Sequence, residues 1–293
     1  MTLDSAHWFN ELNTQDGSAF SLKYMAKLHE EQTPFQKIEV YQTEGFGNLM
    51  VIDGFIMLTQ RDNFLYHEMM AHPVLFTHPH PQRVLIIGGG DCGTLREVLR
   101  HPAIAHVEQV DIDEGVTRVA EQFFPELCQS NHDPRARLHF ADGLKWVKEA
   151  APGSYDVIIV DSTDPIGPAE GLFGVNFYRD CLNALGTDGI LVHQSESPLL
   201  HLKLTTAMRL AMQAAGFADL STLHFPQPTY PSGWWSCTMA RKTGSFTGFR
   251  EKDAAERPFA TRYYSEAIHA AARVLPPFVR QAFGIEAAAA VNV

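Results

Sequence analysis

Hydrophobic and polar positions follow two different patterns along the chain. Between residues 20 and 62, apolar and polar residues alternate in short stretches such as KIEVYQT and NLMVIDG, separated by Gly45, Gly47 and Gly54. Alternation with a period of two is typical of half-buried β-strands. This part of the chain therefore predicts a small N-terminal antiparallel β domain, which we place at residues 1–62.

From residue 63 onward, short apolar runs alternate with segments of helical periodicity. The first such segment, NFLYHEMMAHPVLF, has a helical pattern that Pro73 is expected to interrupt. Helical patterns also occur in TLREVLRH, GVTRVAEQFF, GLKWVKEA, VNFYRDCLNAL and LKLTTAMRLAMQAA. The strand candidates between the helical segments cover residues 83–88, 106–112, 137–141, 155–161 and 189–194. Continuous apolar strands that alternate with helices predict a parallel sheet covered on both faces.

Two further strand candidates lie near the end of the pattern. LSTLHF and SCTMAR flank the turn-rich segment PQPTYPSGWW, and such a close pair predicts an antiparallel hairpin at one edge of the sheet. The predicted fold class is therefore α/β, with a doubly wound and mostly parallel sheet over residues 63–293. The small antiparallel β domain precedes it.

The charge balance narrows the classes of ligand. The chain has 293 residues, of which 34 are acidic and 23 basic, and its net charge is −11. A nucleic-acid-binding protein usually has a basic surface that matches the phosphates, so we expect no nucleic-acid partner. The acidic balance permits a cationic small substrate. A solvated acidic surface is the common alternative explanation for such a charge.

Cysteine spacing and the lack of long apolar segments bear on location. Cys92, Cys128, Cys181 and Cys237 are widely separated and include no CxxC pair. This favours reduced thiols in the cytoplasm over a zinc or disulfide framework. The first residues, MTLDSAHWFN, lack the basic and apolar regions of a secretion signal. No apolar run approaches the roughly 20 residues of a membrane span, so we expect a cytoplasmic protein without a membrane partner.

Four successive predicted strands each end near an acidic residue. These residues are Asp91 in GGGDCG, Asp111 in VDIDEGV, Asp142 in ADG, and Asp161 and Asp164 in VDSTDP. In a doubly wound sheet, ligands bind at the carboxyl ends of the parallel strands. The sequence therefore predicts an acidic ligand site at that edge of the sheet.

Each of these acids also has a purely structural explanation. Asp111 or Asp113 could cap the helix that follows, and Asp142 could do the same for the next helix. Asp161 and Asp164 could belong to a turn that ends at Pro165. Taken singly these explanations are competitive, but together they require four coincidences.

The glycine-rich turn indicates what kind of ligand binds. Gly88, Gly90 and Gly93 have the spacing of a nucleotide-binding turn, and Asp111 lies 18 residues further on, where an acid accepts hydrogen bonds from both ribose hydroxyls. Asp91 would repel the phosphate that such a turn normally binds. We therefore expect a nucleoside without phosphate, such as an adenosyl sulfonium. S-adenosylmethionine also has a tail carboxylate that Asp91 would oppose, whereas its decarboxylated form presents only an ammonium.

The motifs of this chain resemble those of a known family, the polyamine aminopropyltransferases. The resemblance covers residues 35 to 240 almost continuously, in the order of the family's motifs. The matching blocks are DGFIMLTQRDNFLYHEMMAH, LIIGGGDCGTLREVLRH, VDIDEGV, ADG, DVIIVDSTDPIGPAEGLF, HQSES and PTYPSGWW. The resemblance implies the Rossmann-like, methyltransferase-type form of the doubly wound sheet. It also implies transfer of the aminopropyl group of decarboxylated S-adenosylmethionine to an amine, usually putrescine, which yields spermidine and 5′-methylthioadenosine.

The resemblance also implies roles for individual residues. It makes Asp91 and Asp161 the anchors of the aminopropyl ammonium. Because a protonated amine must lose a proton before it can attack, we also expect Asp161 to be the catalytic base, assisted by Tyr66. The residues expected to bind the donor are Gln36, His67, Gly88, Gly90, Asp91, Asp111, Asp142 and Gly143. The residues expected to bind the diamine are Tyr66, Asp91, Asp161, Asp164, Gln194, Tyr230 and Trp235. A mobile loop containing Pro165, Gly167 and Pro168 is expected to close over both substrates.

The resemblance further implies a homodimer or homotetramer, assembled partly through the N-terminal β region. We expect no cofactor, since decarboxylated S-adenosylmethionine is consumed as a co-substrate. We also expect no metal. The segment HEMMAH, residues 67 to 72, comes close to the zinc motif HExxH, but its second histidine lies one position too late.

Several positions depart from the family's pattern. Cys92 replaces a glycine of the turn, which costs little if its φ angle is negative. Asp111 replaces a glutamate and is one methylene shorter, and Met57 replaces a glutamine near the aminopropyl end. Gln60 and Asn63 replace acids, which reduces the negative charge near the entrance.

Three alternatives to the putrescine reaction stay open from the sequence. The enzyme could use another amine acceptor, such as cadaverine or a longer polyamine. It could instead be an S-adenosylmethionine-dependent methyltransferase on the same scaffold, although the Asp91, Asp161 and Asp164 set argues against this. It could also be a nucleoside-binding or regulatory protein without catalysis.

Overall fold

The computed structural model describes residues 4, 6–14, 17–164 and 167–285. Within these residues the chain forms a five-stranded β-sheet followed by a seven-stranded β-sheet with helices on both faces. The predicted fold class is confirmed. In particular, the antiparallel N-terminal sheet and the mostly parallel second sheet appear in the expected order.

The first sheet is an antiparallel meander in which each strand pairs with the next along the chain. Its strands are β1 (Trp8–Asn13), β2 (Ser18–Gln32), β3 (Lys37–Thr43), β4 (Asn48–Ile52) and β5 (Phe55–Thr59). The alternating pattern predicted strands only from residue 20 onward. It therefore missed β1, a short strand that pairs with β2 and forms one edge of the sheet.

The second sheet has the strand order β11-β12-β10-β9-β6-β7-β8. Its strands are β6 (Arg83–Gly88), β7 (His106–Asp111), β8 (Ala136–Phe140), β9 (Tyr155–Asp161), β10 (Leu185–Gln194), β11 (Asp219–Pro226) and β12 (Trp234–Arg241). The pairs among β6 to β10 are parallel. The predicted hairpin is present: β11 and β12 are antiparallel, with β12 inserted next to β10 and β11 at the edge.

Helices cover both faces of the second sheet. They are α1 (Asn63–Thr77), α2 (Gly93–Leu99), α3 (Glu114–Phe123), α4 (Gly143–Glu149), α5 (Val175–Ala184), α6 (Leu202–Ala215), α7 (Glu251–Ala255), α8 (Glu266–Ala272) and α9 (Pro277–Ala282). Along β6, Val84 and Ile86 pack into one hydrophobic cluster while Leu85 and Ile87 pack into another. Burial on both faces explains why this strand reads as a continuous apolar run.

Helix α1 corrects the expectation that Pro73 interrupts the helix. The helix continues through Pro73 to Thr77. Proline cannot donate a hydrogen bond to the carbonyl four residues earlier, which here belongs to Met69. The Sγ atom of Cys237 on β12 lies 3.7 Å from that carbonyl oxygen and donates to it instead. The Cys237 thiol on the sheet therefore replaces the hydrogen bond to the Met69 carbonyl that Pro73 cannot donate.

The predicted boundary between residues 62 and 63 falls between β5 and α1. The two parts share a hydrophobic cluster, in which Ile38 and Met50 of the first sheet pack with Val116 and Val119 of α3. This contact brings the first sheet over the carboxyl ends of β6 and β7. Whether the two parts are independent domains stays a prediction.

Candidate active site

A cavity of about 160 Å³ lies where the parallel strands β6, β7 and β9 end. Ten of the residues that the sequence assigned to the site line it, and they come from both parts of the chain. They are Gln36, Tyr66, Gly88, Gly90, Asp91, Asp111, Asp142, Gly143, Asp161 and Tyr230. Of the residues assigned to catalysis or substrate binding, four do not line this cavity, namely His67, Asp164, Gln194 and Trp235.

The glycine turn packs directly against the neighbouring strand ends. Gly88 has a φ angle of +82°, and a Cβ atom on it would lie 2.1 Å from the carbonyl oxygen of Asp161. The next residue, Gly89, donates its N–H to the same oxygen at 2.7 Å. A Cβ atom on Gly90 would lie 2.8 Å from Oδ2 of Asp111. The turn therefore needs glycine because it closes the gap between two carboxylate-bearing strands.

Cys92 does not have the negative φ angle that would make it harmless in this turn. Its φ angle is +67°, in the left-handed region that costs a non-glycine residue about 1–2 kcal/mol. The side chain is buried, and its Sγ atom lies 3.5 Å from the carbonyl oxygen of Gly90 and 3.7 Å from the amide of Gln109. These contacts hold the strained residue in place.

Asp91 is held in its charged form by a histidine behind it. Oδ2 of Asp91 lies 3.2 Å from Nε2 of His67, and Oδ1 accepts the Gly93 N–H at 2.6 Å. Burial alone would raise the pKa of Asp91, but His67 and the Gly93 N–H more than offset it and hold the pKa below its usual value. Burial alone would lower the pKa of His67, but the charge of Asp91 outweighs it and raises that pKa. His67 thus reaches the cavity only through Asp91.

Asp111 and Asp113 divide the two roles that the sequence left open. Asp113 caps α3 by accepting the Gly115 N–H at 2.9 Å, and it also accepts Nε2 of Gln36 at 3.0 Å. Asp111 instead lines the cavity, with Oδ1 accepting the Asp113 N–H at 2.8 Å. Burial, together with the charge of Asp113, raises the pKa of Asp111 to about 6. The neighbouring Gln36 lies beside it on the cavity wall.

Asp142 both caps a helix and lines the cavity. It is the N-cap of α4, and its Oδ1 accepts the N–H of Leu144 at 2.8 Å. Asp142 and Gly143 also line the cavity. A Cβ atom on Gly143 would lie 2.5 Å from the side chain of Ile87. The start of this helix therefore forms part of the cavity wall.

Asp161 is fixed from both sides. The Tyr66 hydroxyl donates to Oδ1 at 2.7 Å, and the Thr94 hydroxyl donates to Oδ2 at 2.6 Å. Burial and the charge of Asp91 raise the pKa of Asp161. Burial, followed by the charge of Asp161, raises the pKa of Tyr66 well above its usual value. The tyrosine therefore stays protonated and serves as a hydrogen-bond donor. Thr94 was not singled out in the sequence, although it lies within the motif GTLREV.

Aromatic rings form the wall beside Asp161. The Tyr66 and Tyr230 ring centroids are 6.0 Å apart, and Trp235 packs edge-on against Tyr230 at 4.8 Å. The Tyr230 hydroxyl donates to the backbone carbonyl of Met57, which itself lines the cavity. Trp235 therefore supports Tyr230 without reaching the cavity surface.

A second group of acids, the carboxylate cluster of Glu11, Asp164 and Glu196, adjoins the cavity. Asp164 and Glu196 share a hydrogen bond. The pKa of Asp164 is raised well above its usual value, mainly by burial and next by the charge of Glu196. The charge of Glu11 acts in the same direction. Gln194 donates Nε2 to Glu196 at 3.2 Å, and Nδ1 of His201 lies 2.9 Å from the same carboxylate.

Two members of this cluster were missed in the sequence. Glu11 lies on β1, outside the recognised motifs, and accepts the Ile56 N–H at 2.7 Å. Glu196 lies in the recognised motif HQSES but was not selected. It is buried and has a φ angle of +64°, and such strain is concentrated at functional sites.

The described residues include only part of the loop that the sequence assigned as a lid. Pro165 lies outside the described residues, while Gly167 and Pro168 begin a 3-10 helix, Gly167–Phe173. Ala169 and Leu172 of this helix line the cavity. The segment after the loop thus already covers one side of the site.

Two features are absent from the described part of the chain. Within residues 4, 6–14, 17–164 and 167–285, no group of three His, Cys, Asp or Glu side chains is arranged to hold a metal ion. In the same residues, no helix has both the length and the apolar character to cross a membrane.

The second sheet, its glycine turn and the cavity at the strand ends define a Rossmann-like protein of the methyltransferase type. Two family models match this chain. The model described as the spermine/spermidine synthase domain matches residues 63–250, and that described as the spermidine synthase tetramerisation domain matches residues 7–60. The chain belongs to the spermine/spermidine synthase family and is an aminopropyltransferase.

Individual relatives agree with this assignment. The polyamine aminopropyltransferase of Nitrosococcus oceani is 64% identical over 281 residues, which cover 96% of this chain and 98% of the relative. That of Thioalkalivibrio sulfidiphilus is 63% identical and covers 96% of this chain and 99% of the relative. Among solved structures, a spermidine synthase in complex with the transition-state analogue AdoDATO is 32% identical, with a TM-score of 0.93 and 97% of each chain covered. The spermidine synthase of Thermotoga maritima, also 32% identical, gives a TM-score of 0.91 with the same coverage.

Proposed function

We propose that this enzyme transfers the aminopropyl group of decarboxylated S-adenosylmethionine to putrescine, which gives spermidine and 5′-methylthioadenosine. The observation that carries the proposal is the convergence of Asp91, Asp111 and Asp161 from different strand ends onto one cavity. Both substrates carry positive charge at neutral pH, so a buried acidic cavity suits both of them. A solved relative of the same fold was captured with a transition-state analogue, AdoDATO, which supports small-molecule substrates of this kind.

The donor is proposed to lie along the ends of β6, β7 and α4. Asp111 and Gln36 would hold the ribose, while Asp142 and Gly143 would contact the adenine. Asp91 remains charged because His67 supports it, so it can attract the tail ammonium. The donor is consumed in the reaction, and we propose that no separate cofactor takes part.

Asp161 is proposed to be the general base. The putrescine nitrogen must lose a proton before its lone pair can attack the CH₂ group next to the sulfonium. The new C–N bond then forms as the C–S bond breaks, and the electron pair leaves with sulfur. Because the pKa of Asp161 is raised by burial and by Asp91, its carboxylate accepts a proton more readily than an ordinary aspartate does.

Putrescine would place its second ammonium toward the carboxylate cluster. The half-buried Asp164 and the buried Glu196 lie side by side, which is unfavourable when both are charged. A cation next to the pair would relieve that repulsion. Tyr230 and Tyr66 would cover the methylenes between the two nitrogens and offer their ring faces to the cations. The lid segment that contains Pro165, Gly167 and Pro168 would exclude water from both substrates.

The test is the Asp161→Asn variant with putrescine as the acceptor. Turnover should fall at least about 100-fold, the lower end of what a general base contributes. Binding of 5′-methylthioadenosine should change little, since the fold and the nucleoside contacts remain. The exposed Asp188→Asn variant is the matched control and should keep full activity. Near-normal turnover of Asp161→Asn would move the base role to Tyr66 or Asp164.

The methyltransferase alternative shares the Rossmann-like scaffold and requires its own assay. We expect decarboxylated S-adenosylmethionine to bind far more tightly than S-adenosylmethionine, because Asp91 would oppose the extra carboxylate. Calorimetric titration of both compounds measures this difference, and Asp91→Asn should reduce it. An acceptor panel that includes cadaverine and longer polyamines, with both products quantified, identifies the preferred amine. Methylated product from S-adenosylmethionine would overturn the aminopropyl reaction.

We also propose a homo-oligomer, a dimer or a tetramer, assembled through the first sheet. The match of residues 7–60 to a spermidine synthase tetramerisation domain supports this. The sheet also exposes apolar side chains in the single chain, among them Leu12 on β1 and Met25 and Leu28 on β2. A cytoplasmic location is supported by the four cysteines, all of which are free thiols.

A further inference from the structure

A second cavity, of about 270 Å³, lies between α6, the edge strand β11 and the C-terminal helices. Among the described residues, the two cavities have no lining residue in common. Three arginines meet there, although the chain as a whole carries a net charge of −11. The lining residues are Arg209, Leu220, Ser221, Thr222, Arg273, Val274, Leu275, Arg280 and Ile285.

Arg209 is the most informative of the three arginines. Its side chain is only 7% exposed, and burial lowers its pKa to about 10. Nη1 donates to the Thr222 hydroxyl at 2.9 Å, and the guanidinium lies 4.4 Å over the Phe283 ring. Among the described residues, no carboxylate forms an ion pair with Arg209. A buried charge of this kind is ordinarily paired, because removing it from water is costly.

Among the described residues, the acid that acts on Arg209 forms no ion pair with it. Asp219 acts on Arg209 only at a distance. Its two carboxylate oxygens already accept the N–H groups of Leu220 at 2.8 Å and Phe246 at 2.7 Å. Arg273 donates Nη2 to the Phe246 carbonyl at 3.1 Å and likewise forms no ion pair in the described part of the chain. Arg209 and Arg273 therefore bring positive charge to the cavity that no carboxylate of the described residues pairs with.

We propose that this cavity is an oxyanion-binding site. Guanidinium groups bind phosphate and carboxylate through paired N–H donors, which favours a planar or tetrahedral oxyanion over a simple halide. The hydroxyls of Ser221 and Thr222 add donors on the strand side. Leu220, Val274 and Leu275 add apolar surface, so the site suits a phosphate or carboxylate group carried on a small organic molecule.

The same chemistry has two possible sources. One is a free small anion, for which inorganic phosphate and citrate serve as probes. The other is the side-chain carboxylate of Glu286, which follows Ile285 in the chain itself. The full-length Glu286→Gln variant separates these two sources.

The experiment is calorimetric titration of phosphate and citrate at constant ionic strength, with chloride as the reference anion. The full chain should bind at least one of the two, and Arg273→Gln and Arg209→Met should each weaken binding at least about tenfold, as expected for hydrogen bonds to charged groups. Arg179→Gln, on the exposed face of α5, is the matched control and should bind normally. Arg273 is half-buried, so its variant keeps the test valid if Arg209→Met fails to fold.

Each outcome decides the question. Binding by the full chain supports a free ligand. Binding only by Glu286→Gln also supports oxyanion recognition and identifies the Glu286 carboxylate as the occupant. Absence of binding in both proteins would overturn the proposal, as would affinities that Arg209→Met and Arg273→Gln leave unchanged.

Discussion

The hydroxyl of Thr94 adjusts the proposed base without needing to touch a substrate. It donates to Oδ2 of Asp161 at 2.6 Å, and this bond lowers the pKa of Asp161 against the larger effect of burial. In Thr94→Val the pKa of Asp161 should therefore rise further. The rising limb of the kcat/KM profile should move upward by about one pH unit, since a hydrogen bond to a charged group contributes roughly 1.5–3 kcal/mol.

The sign of this effect makes Thr94→Val testable. A base with a higher pKa is protonated over a wider range, so the rate at neutral pH should fall while the rate at high pH recovers. Thr94→Ser keeps the hydroxyl and should keep the wild-type profile. An equal loss of rate at every pH would show that Thr94 has only a packing role.

Asp111 is expected to oppose folding while it favours binding. Its pKa rises from the usual 3.8 to about 6, because burial disfavours the charged form. The folded state therefore loses stability as the pH rises through this window. At pH 7, Asp111→Asn should stabilise the free protein by on the order of 1–3 kcal/mol and weaken 5′-methylthioadenosine binding by roughly 1.5–3 kcal/mol.

Urea unfolding and calorimetry measure these two changes separately. Asp111→Glu restores the longer side chain typical of the family and shows whether the shorter acid has limited ribose binding. A variant Asp111→Asn that is less stable and binds normally would contradict both the burial argument and the ribose role.

At the scale of elements, helix α1 holds the C-terminal segment through one buried acid. The Glu68 carboxylate accepts the backbone N–H groups of Arg262, Tyr263 and Tyr264 at 2.8, 2.9 and 2.8 Å. Glu68→Gln removes the charge and replaces one acceptor oxygen with a donor. We expect a loss of about 1–3 kcal/mol in the free energy of unfolding, because at least one buried N–H group is left unsatisfied.

Hydrogen exchange locates this effect. In Glu68→Gln, the amides of residues 262–264 should exchange faster, while those of the first sheet should not change. Glu256→Gln removes an exposed acid from the same C-terminal segment and is the matched control. Unchanged exchange at residues 262–264 would mean that other contacts hold the segment.

At the scale of the whole molecule, the proposed assembly depends on the outer residues of the first sheet. Met25 on β2 is 62% exposed in the single chain. A charge there would be buried in an assembly but solvated in a monomer, so Met25→Glu should shift the protein to smaller species. Light scattering coupled to size-exclusion chromatography measures the mass.

Leu210→Glu provides the matched control for Met25→Glu, because Leu210 is 60% exposed on α6, outside the first sheet. It should leave the mass unchanged. A full-size assembly in Met25→Glu together with dissociation in Leu210→Glu would place the interface on the helical side of the molecule.

The sequence by itself determined the order of the elements and the edge of the sheet that carries the site. Periodicity reports burial on one or both faces, so β6 to β10 and their helices could be located from local patterns. The rule that parallel strands present their carboxyl ends together then placed Asp91, Asp111 and Asp161 at one cavity. The family motifs added the expected roles of Gln36 and Tyr230, which no local pattern contains.

Only the tertiary structure decided which remote partner each of these groups meets. Thr94 and Asp161 lie 67 residues apart in the sequence but share a hydrogen bond. Cys237 lies 168 residues from Met69, whose carbonyl it binds because Pro73 cannot. The charge of Glu11 raises the pKa of Asp164 because the fold brings β1 near the residues that follow β9. Periodicity describes how one segment is buried, but a carboxylate's pKa and hydrogen bonds depend on side chains from distant segments that only the packed fold brings together.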